Sequence, residues 1–219
     1  MLARTTGACA LVGMVLIFGP IIAISTRGEP SFDATAAEVA TFFRNNDVAW
    51  VHLIGAVSLI GVIAFLWFVV GLTTLLREVE KEPAWRSTVA LMSGSLLAAY
   101  GVIEASGSAV SNRGEDLDPK LALYAFDVGN LGFANTWVAL GSFGIAVGWV
   151  LLDSKALPAW WAWWIIIAGA GLILARLAWQ EPLWFWPYAL LWAWVATIGV
   201  RLARGLQFNQ PQTQPAQPR

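Results

Sequence analysis

Six stretches of this chain are long and apolar enough to cross a bilayer, and that constraint governs every other reading of it. A hydrocarbon core about 30 Å thick needs about 20 mostly apolar residues in helical form. The stretches are Gly7–Ser25, Val48–Leu76, Ser87–Ser111, Leu121–Leu152, Ala159–Trp179 and Leu183–Ala203. They predict an all-α fold, a polytopic transmembrane bundle of six spans occupying residues 1–206. The fourth stretch is long for such a core, so its outer end should project or tilt. Residues 207–219, "QFNQPQTQPAQPR", are Gln/Pro-rich and are expected to be a disordered cytoplasmic tail.

Composition supports the lipid setting. Only 12% of the 219 residues are charged and 58% are hydrophobic, whereas soluble domains carry about 25% charged residues. A net charge of −1 offers no basic field for nucleic acid. The single cysteine, Cys9, excludes an intrachain disulfide, and the single histidine, His52, excludes a metal site that needs two imidazoles. No metal and no cofactor are expected. The 14 tryptophans, above all "AWWAWW" at 159–164, read as an interfacial aromatic girdle.

The first stretch reads as a retained helix rather than a cleaved leader. Its apolar run continues through Gly19-Pro20-Ile21-Ile22 without a small-x-small cleavage site. Between the first two spans, "SFDATAAEVATFFRNND" (31–47) reads as a short amphipathic helix at the interface. Asp33 is its expected cap, with Glu38 in its early turns and Val39, Phe42 and Phe43 on one face. Gly144 and Gly148, four apart, suggest a close helix contact.

Lysine and arginine set the orientation. Arg4, Arg77, Lys81, Arg86, Lys155, Arg201, Arg204 and Arg219 fall on one side; Arg27, Arg44, Arg113 and Lys120 fall on the other. Eight against four places both termini in the cytoplasm of a plasma (inner) membrane protein.

With that orientation, the polar residues of the spans gather near the outer surface. Glu104 lies seven residues before Ser111, about 10 Å below the outer end of its span. It shares a small, polar helical face with Tyr100, Gly101, Gly107, Ser108 and Ser111. Asp127 and Asn130 lie in the outer part of the fourth span, His52 opens the second, and Arg176 ends the fifth. Glu104, Asp127, Asn130, Arg176, His52 and Tyr100 are therefore the candidate ligand-binding residues. Intramembrane ionisable groups pair with one another or face a cavity, so Arg176 is expected either to pair with Glu104 or Asp127, or to line an outward vestibule with them. None of the sequence patterns H-E-x-x-H, G-x-S-x-G or the P-loop occurs, and no catalytic residue is assigned.

Several pieces carry a resemblance: "GP" in the first span, "FFRNND" before the second, "FLWFVVGLTTLLRE" at its end, "YAFDVGNLGFANTW" in the fourth and "ALPAWWAWWIIIAGAGLIL" leading through the fifth. Together they resemble uncharacterised six-helix integral membrane proteins of actinobacterial type, grouped as a domain of unknown function. The resemblance implies an inner-membrane helical bundle and brings no catalytic residues. The expected role is non-enzymatic: binding a small polar ligand or lipid headgroup at the outer polar cluster, or supporting a partner protein or a second copy of the chain there. A secondary transporter or ion-conducting subunit using Glu104 and Asp127 is the alternative, and a membrane-embedded enzyme the third class.

Overall fold

The structure is a computed structural model describing residues 1–205 and Phe208, apart from the side chains of residues 104–108. The helices are α1 (Leu2–Ser25), α2 (Ala36–Asn45), α3 (Ala49–Arg77), α4 (Trp85–Gly107), α5 (Pro119–Ser154), α6 (Ala159–Ala175) and α7 (Phe185–Ala203). Short 3₁₀ segments follow α4 (Ser108–Asp116), follow α6 (Arg176–Ala178) and precede α7 (Pro182–Trp184). All but α2 belong to the six segments long and apolar enough to cross a membrane, and the chain is a multi-pass membrane protein. No strand occurs among the described residues. The expected tail lies outside the described residues except for Phe208, which is buried against the bundle.

The six long helices close a ring in the order α1, α3, α4, α5, α6, α7 and back to α1. Their alternating directions leave the start of α1 and the end of α7 on one face, called here the termini face. The opposite face carries α2 and the 3₁₀ segments and is called the α2 face. α5 is the most interior helix: 67% of its most apolar window is buried, against 22–39% for the other five.

Apolar helices gain little by exchanging lipid tails for one another, so close backbone approach supplies the packing energy. The α5–α6 seam shows it. A methyl group on Gly144 would stand 2.9 Å from the Ile165 carbonyl oxygen, and one on Gly148 would stand 2.8 Å from that of Ala162. Only hydrogen fits at either position, and the expected contact at Gly144 and Gly148 is α6. Ser93 of α4 and Ser142 of α5 share a hydrogen bond of 2.7 Å across their own seam.

The tryptophans depart from a simple girdle. Trp137, Trp161, Trp192 and Trp194 are buried in the core. Phe18, Phe65, Phe133, Trp137, Trp184, Tyr188 and Trp192 form one continuous edge-to-face and stacked cluster. Helical spacing divides the "AWWAWW" run. Trp160 and Trp163 face outward, whereas Trp161 is buried and Trp164 half-buried. Carbonyl groups make this affordable in two places: the indole N–H of Trp194 donates to the Trp161 carbonyl and that of Trp164 to the Leu190 carbonyl, both at 2.9 Å. A buried indole usually has a partner for its N–H; those of Trp137 and Trp192 have none among the described residues, and ring packing holds these two side chains.

α2 begins at Thr35 rather than at the expected Asp33. The Thr35 hydroxyl accepts from the Glu38 N–H while the Glu38 carboxylate accepts from the Thr35 N–H at 2.7 Å, a complete capping box. Asp33 instead accepts from the Ser31 hydroxyl at 2.6 Å. Val39, Ala40 and Phe43 bury against Leu117, Ala122 and Phe126, which fixes α2 to the start of α5.

On the termini face, the turn after α3 carries a buried polar clasp. Glu80 Oε1 accepts from the Arg86 N–H at 3.0 Å and from Arg86 Nε at 2.9 Å. Glu80 Oε2 accepts from the backbone N–H and hydroxyl of Ser87. Arg86 Nη2 then reaches Asp153 at the end of α5, at 2.9 Å, with its guanidinium beside the rings of Trp85 and Trp149. The clasp ties α3, α4 and α5 together. Burial pushes the Glu80 carboxyl up, but the donors of Ser87 and Arg86 outweigh it and hold the group below the usual glutamate range.

Two outcomes follow. Gly144→Leu should destabilise the bundle by about 1–3 kcal/mol through overpacking, whereas Gly55→Leu, with open space around its position, should leave the melting temperature in detergent nearly unchanged. A depressed carboxyl stabilises the fold above its ordinary value and loses that contribution as pH falls through its folded value. The melting temperature should therefore drop as pH falls below about 4.3. Glu80→Gln should cost roughly 2 kcal/mol at neutral pH and flatten that acid dependence in a pH series of thermal melts.

Candidate functional site

The polar chemistry of the α2 face starts from the turn that follows α1. Gly28 takes a φ of +74°, a conformation that suits glycine, and the chain reverses there towards α2. Arg27, just before it, donates from Nη2 to the Asn45 carbonyl at 3.0 Å, and its guanidinium lies 5.1 Å from the centre of the Trp50 ring. At the end of α2, Arg44 donates to the Leu117 carbonyl at 3.0 Å. The Asn46 side-chain N–H donates to the Phe42 carbonyl at 2.8 Å. The α1–α2 turn, the end of α2 and the start of α3 are thereby held in a fixed relation.

These contacts frame a cleft of about 580 Å³ lined by Arg27, Ser31, Glu38, Phe42, Asn45 and Asn46, among others. Ligand clefts commonly span roughly 300–1,000 Å³. Its charges are of both signs. Arg27 is the cation of the lining and Glu38 its carboxylate, held below the usual range by the backbone N–H and then the hydroxyl of Thr35. Asn46 is only 6% exposed, and its Oδ1 is buried without a hydrogen-bond partner. Buried acceptors normally have partners, and one left unmet is destabilising. A positive donor, a negative acceptor and an unmet neutral acceptor in one cleft suit binding of a small dipolar group.

The residues singled out from sequence are placed as follows. His52 Nε2 lies 2.9 Å from Asp47 Oδ1, and both side chains are well exposed. Asp127 is exposed, as are Tyr124 and Leu131 on the same side of α5, so this part of the helix looks away from the bundle. Asn130 is half-buried, with Nδ2 enclosed and unpartnered. Tyr100 is half-buried on α4. Arg176 donates from both Nε and Nη2 to Asn135 Oδ1, each at 3.2 Å. That partner is a neutral amide on α5; among the described residues Asp127 makes no ion pair with Arg176, and the expected pairing with Glu104 lies outside the described residues. The backbone of Glu104 is within α4, and its side chain lies outside the described residues. Among the described residues, no hydrogen bond or ion pair joins any two of these positions.

Arg27, Glu38 and Asn46 were not singled out from sequence. A signal for part of the cleft existed: Thr35-x-x-Glu38 is a capping-box pattern that fixes where α2 starts and hence where Glu38 points. Nothing in the sequence brings Arg27 to Asn45, eighteen residues later.

Over residues 5–202 the chain matches a family described as a domain of unknown function (DUF4386). No curated protein matches it, and no solved structure matches it.

Proposed function

We propose that this chain, which belongs to the DUF4386 family, is a non-enzymatic plasma-membrane protein of bacterial type that binds a small polar ligand or a lipid headgroup on its α2 face. The observation that carries the reading is the cleft beside Arg27 and Glu38, with the unmet acceptor of Asn46 in its wall. A helix at the membrane boundary meets headgroups on one side and core on the other; the link of α2 between the ends of two long apolar helices, with Val39, Ala40 and Phe43 buried, supports that reading.

The interior favours binding over transport. The described centre of the ring is occupied by Phe65, Phe68, Trp137, Trp192 and Val195, all buried. Such packing provides no row of polar groups to replace the hydration of a moving ion. The excess of lysine and arginine on the termini face supports placing both termini in the cytoplasm and the α2 face outside.

Two measurements test the reading. Thermal melting of the purified protein should be screened against short-chain phospholipids and small polar solutes. A ligand at a hundred times its Kd stabilises by about 2.7 kcal/mol, which appears as a shift of several degrees, and Arg27→Gln should abolish it. No shift with any compound contradicts the binding role. For orientation, a cysteine introduced by Ser31→Cys in a Cys9→Ala background should react with a membrane-impermeant maleimide in intact cells. Labelling only after lysis would reverse the proposed topology.

A further inference from the structure

We propose that the α2-face cleft is a site for the phosphoethanolamine headgroup of a bilayer lipid; the inference rests on the headgroup reading above and names the headgroup. Three features of the cleft act together. Arg27 uses one N–H on the Asn45 carbonyl, and a guanidinium has five N–H donors in a planar fork suited to phosphate oxygens. Among the described residues its other donors have no hydrogen-bond partner. Asn46, next to the Asn45 that Arg27 engages, also lines the cleft; it is more than nine-tenths enclosed and its Oδ1 has no hydrogen-bond partner among the described residues. Glu38 engages Thr35 through Oε2 alone, which leaves Oε1 as a second acceptor. A primary ammonium supplies N–H donors to both acceptors while its phosphate meets Arg27.

The same groups discriminate among headgroups. A choline ammonium carries no N–H and would leave the Asn46 acceptor unmet, a loss that penalises binding. A phosphoglycerol headgroup has hydroxyl donors, but its net negative charge faces Glu38 without a compensating cation. Phosphoethanolamine matches both the charge pair and the donors.

The source of the headgroup is argued from the surface beside the cleft. Ile21 and Ile22, in the last turns of α1, and Trp50 and Leu53, in the first turns of α3, are all exposed large apolar side chains. Trp50 lies against the Arg27 guanidinium, and Ile21 and Ile22 precede Arg27 by six and five residues. Acyl chains could run along them while the headgroup occupies the cleft, which a soluble phosphoethanolamine would not exploit.

The test uses the full chain in nanodiscs with equal amounts of phosphatidylethanolamine, phosphatidylcholine and phosphatidylglycerol of identical acyl chains, read by native mass spectrometry of retained lipid. Retention of phosphatidylethanolamine should exceed that of phosphatidylcholine by about tenfold, the worth of one charge-assisted hydrogen bond. Arg27→Gln, checked for an unchanged thermal melt in the absence of added lipid, should lower that retention several-fold. Asn46→Asp should keep the preference and Asn46→Leu should lose it. Equal retention of the ethanolamine and choline lipids, or unchanged retention in Arg27→Gln, overturns the proposal. A preference for phosphatidylglycerol also overturns it while leaving the wider headgroup reading intact. Binding of soluble phosphoethanolamine with no lipid retained overturns the lipid source. Retention of no lipid and no soluble headgroup overturns both readings.

Discussion

Helices in hydrocarbon have no hydrophobic incentive to meet, because a lipid tail is as apolar as a leucine. Every stable contact in this bundle must therefore come from closeness of approach, interlocking shape or a satisfied polar group. α5 is the element on which all three converge. It offers Gly144 and Gly148 to the carbonyls of α6, Ser142 to Ser93 of α4, and Trp137 to the aromatic cluster. Its end receives Arg86 through Asp153, and its start receives α2 through Ala122 and Phe126. Both faces of the protein are anchored to this one helix.

That arrangement separates support from chemistry. The interior is filled by aromatic and aliphatic side chains, and on the termini face the buried Glu80–Arg86 pair is extended by the exposed Asp153 in one clasp. A buried ion pair is weak evidence for net stability, but loss of one partner leaves an uncompensated charge. The clasp accordingly reads as a lock on the α3–α4 turn. The α2 face has what the clasp lacks: Arg27 with donors to spare, and an Asn46 acceptor unmet by protein.

The helical architecture was legible because each span states itself in a continuous apolar run, and the contact at Gly144 and Gly148 because their spacing puts two hydrogens on one helix face. The tryptophans were less so. Composition favours a girdle, but which indoles turn inward is set by neighbouring helices: Trp194 meets the Trp161 carbonyl, whereas Trp137 and Trp192 are held by ring packing with their N–H groups unpartnered among the described residues. The start of α2 was misplaced because Asp33 and Thr35 are both good caps. Glu38, placed to answer Thr35, decides between them. The cleft was illegible for a deeper reason. Polarity within a span is visible in sequence, whereas the approach of Arg27 to Asn45 is set by a turn, and turns carry little periodic signal. Arg176 shows the same limit: its place at the end of α6 was readable, but its partner Asn135 depends on how α6 is rotated against α5.

The central claim is that a packed bundle presents its binding chemistry on the α2 face rather than through its middle. A density map of the full chain in native lipid tests this most directly. The account predicts headgroup density in the cleft between Arg27 and Asn46, and a dry, filled centre around Phe65, Trp137 and Trp192. An empty cleft together with a hydrated path running through that centre would contradict it.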